Sequence, residues 1–190
     1  MKKLNLILIT IFSVVGALLI YNYFEKHKPD ANSGKKVTEE YNLVSDSVLV
    51  YKNIDEINQI ISNDSGIVFF CIKENTWCNY YANYLNDVAT ANGIKEIYYL
   101  DIKQDRQYNT SGYRKLVNSL ENYLLKDDEN NLKIFVPTVI FVKNGNILEY
   151  DNETSILTEN ITPNEYWTDE KISEFKMKIT SFITDYKEEK

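Results

Sequence analysis

Strand-like and helix-like segments alternate along most of this chain, and their order restricts its fold more than any other feature. Gly66–Ile72 is a continuous apolar run, typical of a strand buried on both faces. Thr76–Thr90 then carries apolar residues at helical spacing, and Glu96–Ile102 predicts a second buried strand. Near the end, Lys143-Asn144-Gly145 predicts a tight hairpin because Asn-Gly accepts positive φ.

The predicted order is β-α-β-α-β-α-β-β-α, which indicates an α/β fold with a central mixed β-sheet and helices on both faces. The predicted strands are Ser47–Lys52, Gly66–Ile72, Glu96–Ile102, Thr138–Val142 and Asn146–Tyr150, and the predicted helices are Ile54–Ile61, Thr76–Thr90, Ser111–Leu125 and Thr168–Lys187.

The amino terminus has the pattern of a membrane anchor. Lys2 and Lys3 precede Leu4–Phe24, a run of 21 residues without a charge. A helix of that length spans roughly 31 Å, close to the ~30 Å hydrocarbon core of a bilayer. A cleavable signal peptide is the alternative, but its apolar region is shorter and ends in small residues, whereas bulky side chains occupy positions 21–24. We therefore predict an uncleaved transmembrane helix at residues 1–24.

A polar segment, residues 25–41, follows and contains Pro29 and Gly34, so it is predicted to be a linker to a globular domain at residues 42–190. Basic residues flank the apolar run on both sides and do not fix its orientation. A long following domain is exported regardless of local charge. We expect a single-pass protein of the cell membrane with an extracytoplasmic domain.

Charge and composition exclude several function classes. The whole chain has a net charge of −7, and residues 1–36 carry +4, which leaves −11 on residues 37–190. Such an acidic domain repels phosphate backbones, so no nucleic-acid partner is expected. The single histidine, His27, lies beside the apolar run, and two cysteines are too few for a structural zinc site. We predict no metal and no cofactor.

Cys78 is the strongest candidate for chemistry. It lies in Trp77-Cys78, between a predicted buried strand and the helix that follows. A cysteine in the first turn of a helix is near the positive end of the helix dipole, which favours the thiolate. The thiolate is the form that attacks a disulfide.

The order of elements, together with Trp77-Cys78, Val136-Pro137-Thr138 and Lys143-Asn144-Gly145, resembles the thioredoxin family over about residues 46–187. It is also similar to thioredoxin-like proteins of the bacterial envelope. The resemblance implies that Cys78 is the attacking cysteine and that Pro137 is a cis-proline facing it. It further implies that the backbone of Val136 pairs with an extended client segment.

Two aromatic residues beside Cys78 have more than one interpretation. Trp77 fits either packing or a platform for a client. Tyr81 shares a helix face with Leu85 and so fits the core; alternatively it contributes to client binding or donates a hydrogen bond to the Cys78 sulfur.

The chain departs from the family pattern in ways that affect function. Tyr81 stands where the resolving cysteine belongs, giving a degenerate Cys-x-x-Tyr motif. The predicted strand at residues 66–71 also lacks the buried carboxylate that thioredoxins keep there. For Cys71 we favour a small buried residue of the core. The alternative is a resolving or disulfide partner of Cys78, which requires the two Cα atoms to lie about 4.4–6.8 Å apart.

Two functions fit these residues. The first is a membrane-anchored, extracytoplasmic thioredoxin-like protein that exchanges disulfides with client thiols, or traps them, through Cys78. The alternative is a redox-inactive thioredoxin-fold module that binds peptides or proteins of the cell envelope. Protein thiols or peptides are the expected partners in either case. The sequence leaves open whether the chain is an enzyme; if it is, it is a thiol-disulfide oxidoreductase with an atypical motif.

Overall fold

The computed structural model of the protein describes Gly16 and residues 33–43, 47–157 and 160–188. The predicted transmembrane helix at residues 1–24 lies outside these ranges except for Gly16. In the part of the chain that is described, no helix combines the length and the apolar character needed to cross a membrane. The helices are α1 Ser33–Tyr41, α2 Ile54–Asn63, α3 Thr76–Ala91, α4 Lys103–Gln107, α5 Ser111–Ser119, α6 Pro163–Tyr166 and α7 Asp169–Glu188, with a 3-10 turn at Glu153–Ser155. The strands are β1 Leu49–Tyr51, β2 Gly66–Cys71, β3 Ile97–Asp101, β4 Leu125–Lys126, β5 Leu132–Lys133, β6 Thr138–Lys143 and β7 Asn146–Asp151.

Five strands form a mixed sheet in the order β1-β3-β2-β6-β7. β1, β3 and β2 are parallel, whereas β6 runs antiparallel to β2 and pairs with β7 in a hairpin. Every residue of β2 is buried, so both faces of the sheet centre are covered. Helix α2 contacts α5, and α3 contacts α7. The prediction of an α/β fold with a central mixed sheet is confirmed, and this strand order fits a thioredoxin-like fold.

The predicted linker at residues 25–41 is wrong in its described part. Residues 33–41 form α1, in which Val37 is 0% and Tyr41 is 1% exposed. The Tyr41 hydroxyl lies 2.7 Å from the hydroxyl of Tyr99 on β3. Val37 and Tyr41 are four residues apart and therefore share one helix face. The surrounding polar residues concealed this short apolar stripe, and the folded domain begins before the predicted boundary at residue 42.

The segment between β3 and β6 also differs from its prediction. The expected helix at residues 111–125 ends at Ser119 and is followed by the small hairpin β4–β5. Asn130 in the hairpin turn has φ of 65°. Asn tolerates this left-handed conformation better than most residues, so the turn matches its local sequence. The additional short helix α4 precedes α5.

The β6–β7 turn requires glycine for two separate reasons. Gly145 has φ of +75°, and a Cβ atom there would lie 2.5 Å from the backbone oxygen of Ser62. Gly93 has a similar φ of +70° but no heavy atom within 4 Å of the corresponding Cβ position. Comparing substitutions at Gly145 and Gly93 therefore separates the energetic cost of the left-handed backbone conformation from that of the close approach to Ser62.

We predict that Gly145→Ala lowers the free energy of unfolding by about 1–3 kcal/mol more than Gly93→Ala, because only the first substitution also creates a steric clash. Gly93→Ala should cost about 1–2 kcal/mol, the cost of a left-handed conformation for an L-residue. Urea unfolding of both variants measures the difference. Equal losses would contradict the close approach of the turn to α2.

Candidate functional site

Cys78 occupies the first turn of α3, as predicted, and Asn75 fixes where that helix begins. The Asn75 side-chain oxygen accepts hydrogen bonds from the backbone amides of Trp77, at 2.9 Å, and Cys78, at 3.3 Å. Asparagine is among the preferred helix N-caps because its side chain satisfies amides that lack helical partners. The Cys78 sulfur is therefore held at the positive end of a 16-residue helix.

Cys71 and Cys78 form a disulfide that joins the end of β2 to the start of α3. Their Cα atoms are 5.9 Å apart, and the sulfurs are bonded at 1.99 Å. The loop between them folds back through a hydrogen bond of 2.9 Å from the Asn75 amide to the Ile72 carbonyl. The favoured interpretation of Cys71 as an unpaired residue is thus wrong, because its sulfur is bonded to that of Cys78. Its expected burial in the core is found, since Cys71 is fully buried.

The surroundings of the disulfide distinguish its two sulfurs. Both cysteines are 0% exposed. The Ile72 amide donates to the Cys78 sulfur at 3.4 Å. A hydrogen-bond donor and a helix amino terminus both favour a thiolate, so of the two sulfurs Cys78 has the surroundings that favour the thiolate form once the bond is reduced.

The Val136–Pro137 peptide bond is cis. In the antiparallel pairing of β2 with β6, Phe70 lies opposite Thr138. Cys71 follows Phe70 and Pro137 precedes Thr138, so the disulfide and the cis-proline lie at the same end of the sheet. Val136 is 9% exposed, so its side chain packs inward. The main chain at Val136 stays a predicted client contact.

Tyr81 is buried, and its predicted contact with a client is wrong. It is 0% exposed, and its ring stacks on Phe69 with 5.6 Å between ring centroids. Its hydroxyl donates to the Asp151 carboxylate at 2.6 Å, so the alternative hydrogen bond to the Cys78 sulfur is also wrong. The side chain points into the core because Tyr81 shares a helix face with the buried Leu85.

Trp77 is half-buried, and its ring packs edge-on against Tyr166 at 5.5 Å between centroids. This contact supports the packing interpretation of Trp77. Its remaining exposed surface lies one residue from Cys78, so a role as a client platform stays a prediction.

Sequence reasoning missed Asp151, which is only 6% exposed. Asp151 ends β7 opposite Val139, at the same end of the sheet as the cis-proline. It accepts a hydrogen bond from Tyr81 and another of 2.6 Å from Lys178 on α7. Lys178 also contacts Glu153 at 2.6 Å. The sequence of β2 contains no acid, and it is the pairing of β7 with β6 that brings the Asp151 carboxylate inside. A lone Asp at a strand end gives no sequence signal.

Burial and mutual charge fix the protonation states of this network. Burial, followed by the charge of Asp151, raises the pKa of Tyr81 well above its usual value, so its hydroxyl remains a donor. Burial alone would lower the pKa of Lys178, but Asp151 and Glu153 outweigh it and raise that pKa. The hydrogen bond from Lys178 lowers the pKa of Glu153. At neutral pH the Tyr81 hydroxyl is therefore neutral, Lys178 is an ammonium and Glu153 is a carboxylate.

Within the described residues, no three or more His, Cys, Asp or Glu side chains are grouped to hold a metal ion. The candidate site consists of the disulfide, the start of α3 and the cis-proline segment.

Comparisons with known proteins give little further information. No family model matches the chain, and no curated protein matches it. Among solved structures, the oxidised form of thioredoxin O2 from Arabidopsis thaliana is 17% identical and covers 55% of this chain and 82% of its own, with a TM-score of 0.37. That score is too low to support a functional argument. The assignment of a thioredoxin-like fold rests on strand order.

Removing the Tyr81 hydroxyl tests the buried network. We predict that Tyr81→Phe lowers the free energy of unfolding by about 1.5–3 kcal/mol, because it removes a buried hydrogen bond to a charged acceptor. Tyr80→Phe is the matched control on the same helix, since the hydrogen bond of its hydroxyl among the described residues is an exposed contact of 3.5 Å with Asn164. The control should change stability by less than about 0.5 kcal/mol. Similar urea midpoints for both variants would contradict the network.

Proposed function

We propose that this protein exchanges disulfides with protein clients through the Cys71–Cys78 pair, which takes the place of a Cys-x-x-Cys motif. The observation that carries the proposal is the Cys71–Cys78 bond itself, formed at the start of α3 and at the sheet end that holds the cis-proline. A second cysteine at position 81 is then not required, because Cys71 supplies the resolving sulfur.

The exchange is a two-electron reaction. In the reduced protein, the Cys78 thiolate attacks a client disulfide, forms a mixed disulfide and releases one client thiolate. The Cys71 thiolate then attacks the Cys78 sulfur, which re-forms the internal disulfide and releases the second client thiolate. The client gains two electrons, and two protons from solvent complete its thiols. The reverse sequence oxidises a client dithiol, and the relative reduction potentials set the direction.

The membrane anchor and the extracytoplasmic location are part of the same proposal. The uncharged run at residues 4–24 supports the anchor. The disulfide supports an oxidising compartment, because cytosolic thiols are mostly kept reduced.

A second candidate function has its own supporting observation. Both cysteines are 0% exposed, and buried disulfides usually stabilise a fold rather than react. On this alternative the chain is a redox-inactive binding module. Its disulfide then acts as a clamp on a short loop, which is expected to contribute about 2–3 kcal/mol to stability.

Equilibration of the full-length protein in glutathione buffers separates the two functions. We expect the reduction potential of the Cys71–Cys78 disulfide to lie above about −300 mV, because structural disulfides typically lie below that value. Quantitative alkylation followed by mass measurement gives the reduced fraction. A disulfide that remains oxidised at the most reducing glutathione ratio would favour the binding module.

Single-cysteine variants identify the attacking sulfur. We expect the free Cys78 of Cys71→Ser to react with iodoacetamide at pH 7 about tenfold faster than the free Cys71 of Cys78→Ser, because only Cys78 has the helix amino terminus and the Ile72 amide. Only the Cys71→Ser variant should accumulate a mixed disulfide with a disulfide-containing peptide. Equal rates, or adducts on Cys71 alone, would rule out Cys78 as the nucleophile.

The anchor is tested by fractionation. We expect the full-length chain to remain with membranes after alkaline washing, because its uncharged, mostly apolar run of 21 residues is long enough to span a bilayer. A variant that lacks residues 1–24 should be released. Exposure of the domain to protease added outside spheroplasts reports its side of the membrane. A wash-sensitive full-length chain would contradict the anchor, and full protection from protease would contradict the extracytoplasmic location.

A further inference from the structure

A groove of about 1030 Å³ is lined by residues of α4, α5 and the β4–β5 hairpin. Its lining also includes Ile72, which follows Cys71 of the disulfide. Arg106, Arg114 and Lys133 are among its lining residues. We refer to it as the basic groove.

The charge of the basic groove is opposite to that of the domain. Its lining includes four cationic side chains, Lys103, Arg106, Arg114 and Lys133, and two acidic ones, Asp127 and Glu129. Residues 37–190 as a whole carry −11. Lys103 is paired with Glu74 at 3.1 Å and Lys133 lies 4.0 Å from Asp127, so the two arginines carry most of the excess positive charge. Such a local excess on so acidic a domain attracts anionic segments and orients their approach.

The distribution of arginine is the most specific observation. The chain has 21 basic residues, of which only Arg106 and Arg114 are arginines, and both line the basic groove. Arg106 donates one hydrogen bond of 3.2 Å to the Ile134 carbonyl, and Arg114 donates to the Asn109 carbonyl. A guanidinium has five N–H donors, so these contacts orient each group while leaving donors for a carboxylate.

The remaining lining gives the groove an apolar side. Ile72, Val117 and Leu132 are half-buried, and Tyr113 is 6% exposed. The Tyr113 hydroxyl accepts a hydrogen bond from the Ile134 amide at 3.3 Å, which ties the groove wall to the segment leading into the cis-proline. Apolar residues with charged side chains around them are the usual construction of a site for an extended peptide.

We propose that the basic groove binds an extended, acidic segment of the client protein and so brings a neighbouring client cysteine to the Cys71–Cys78 disulfide. The inference rests on the proposed function for the exchange step, whereas binding in the groove does not require the sulfurs. Continuity supports the assignment, because Ile72 both lines the groove and donates to the Cys78 sulfur. Residues 1–36 of this chain carry +4 and are the wrong charge to occupy it.

Fluorescence anisotropy with the full-length protein tests binding. The probes are a labelled twelve-residue peptide rich in Asp and Glu without cysteine, the same peptide with Lys at every acidic position, and a single-stranded oligonucleotide of equal length. We expect the acidic peptide to bind and the basic peptide not to bind. We expect the double substitution Arg114→Gln with Lys133→Gln to lower the affinity for the acidic peptide by about tenfold, since each rim charge changes the affinity a few-fold.

Two matched controls separate specific recognition from bulk charge. Lys95→Gln with Lys115→Gln removes two exposed positive charges outside the groove lining and should leave the affinity within about twofold. Arg114→Lys keeps the charge but loses the planar fork, and should weaken binding by about threefold. An equal effect of both double substitutions would overturn the inference, as would oligonucleotide binding as tight as that of the acidic peptide or displacement of that peptide by millimolar inorganic phosphate.

The exchange step is measured separately. The acidic peptide carrying a terminal disulfide should react with the reduced protein about tenfold faster than the basic peptide carrying the same disulfide, through attraction of opposite charges. If the acidic peptide binds but no exchange occurs in any variant, the proposed redox function fails and the groove assignment stands. If exchange occurs at equal rates for both peptides, the groove assignment fails and the redox function stands.

Discussion

The complete burial of β2 is the constraint on which the rest of this structure depends. The side chains on both faces of β2 are buried, and its backbone pairs with β3 along one edge and with β6 along the other. Its carboxyl end is therefore fixed in position, and that end is Cys71. The disulfide holds the first turn of α3 beside that end, so the candidate site lies at the buried centre of the sheet.

The same arrangement explains why position 81 tolerates a tyrosine. Tyr81 stacks on Phe69 of β2, and its hydroxyl reaches Asp151 on β7, so the side chain connects the helix to both the centre and the edge of the sheet. A buried carboxylate is costly unless it is paired and hydrogen-bonded. Lys178 and Tyr81 provide those partners for Asp151. We infer that this network positions α3, and hence the Cys78 sulfur, relative to the cis-proline.

In the proposed exchange, the cysteine pair and the basic groove have different roles. A fully buried disulfide has little intrinsic access to bulky thiols, so a client must approach along a defined path. On the proposed function, the groove provides such a path at Ile72, which follows Cys71 in sequence and whose amide donates to the Cys78 sulfur. Because electrostatic complementarity acts mainly on association and orientation, an acidic client segment would be selected before any bond is exchanged.

The sequence alone determined the α/β class, the order of the main strands and helices, the hairpin at Asn144-Gly145 and the position of Cys78 at a helix start. These features follow from local periodicity and turn chemistry, which act over a few residues. Only the tertiary structure decided that Cys71 pairs with Cys78, that Asp151 is buried beneath Tyr81, that residues 33–41 join the domain, and that both arginines line one groove. These features depend on which segments, distant in sequence, become neighbours across the sheet. A local pattern of residues does not specify those contacts.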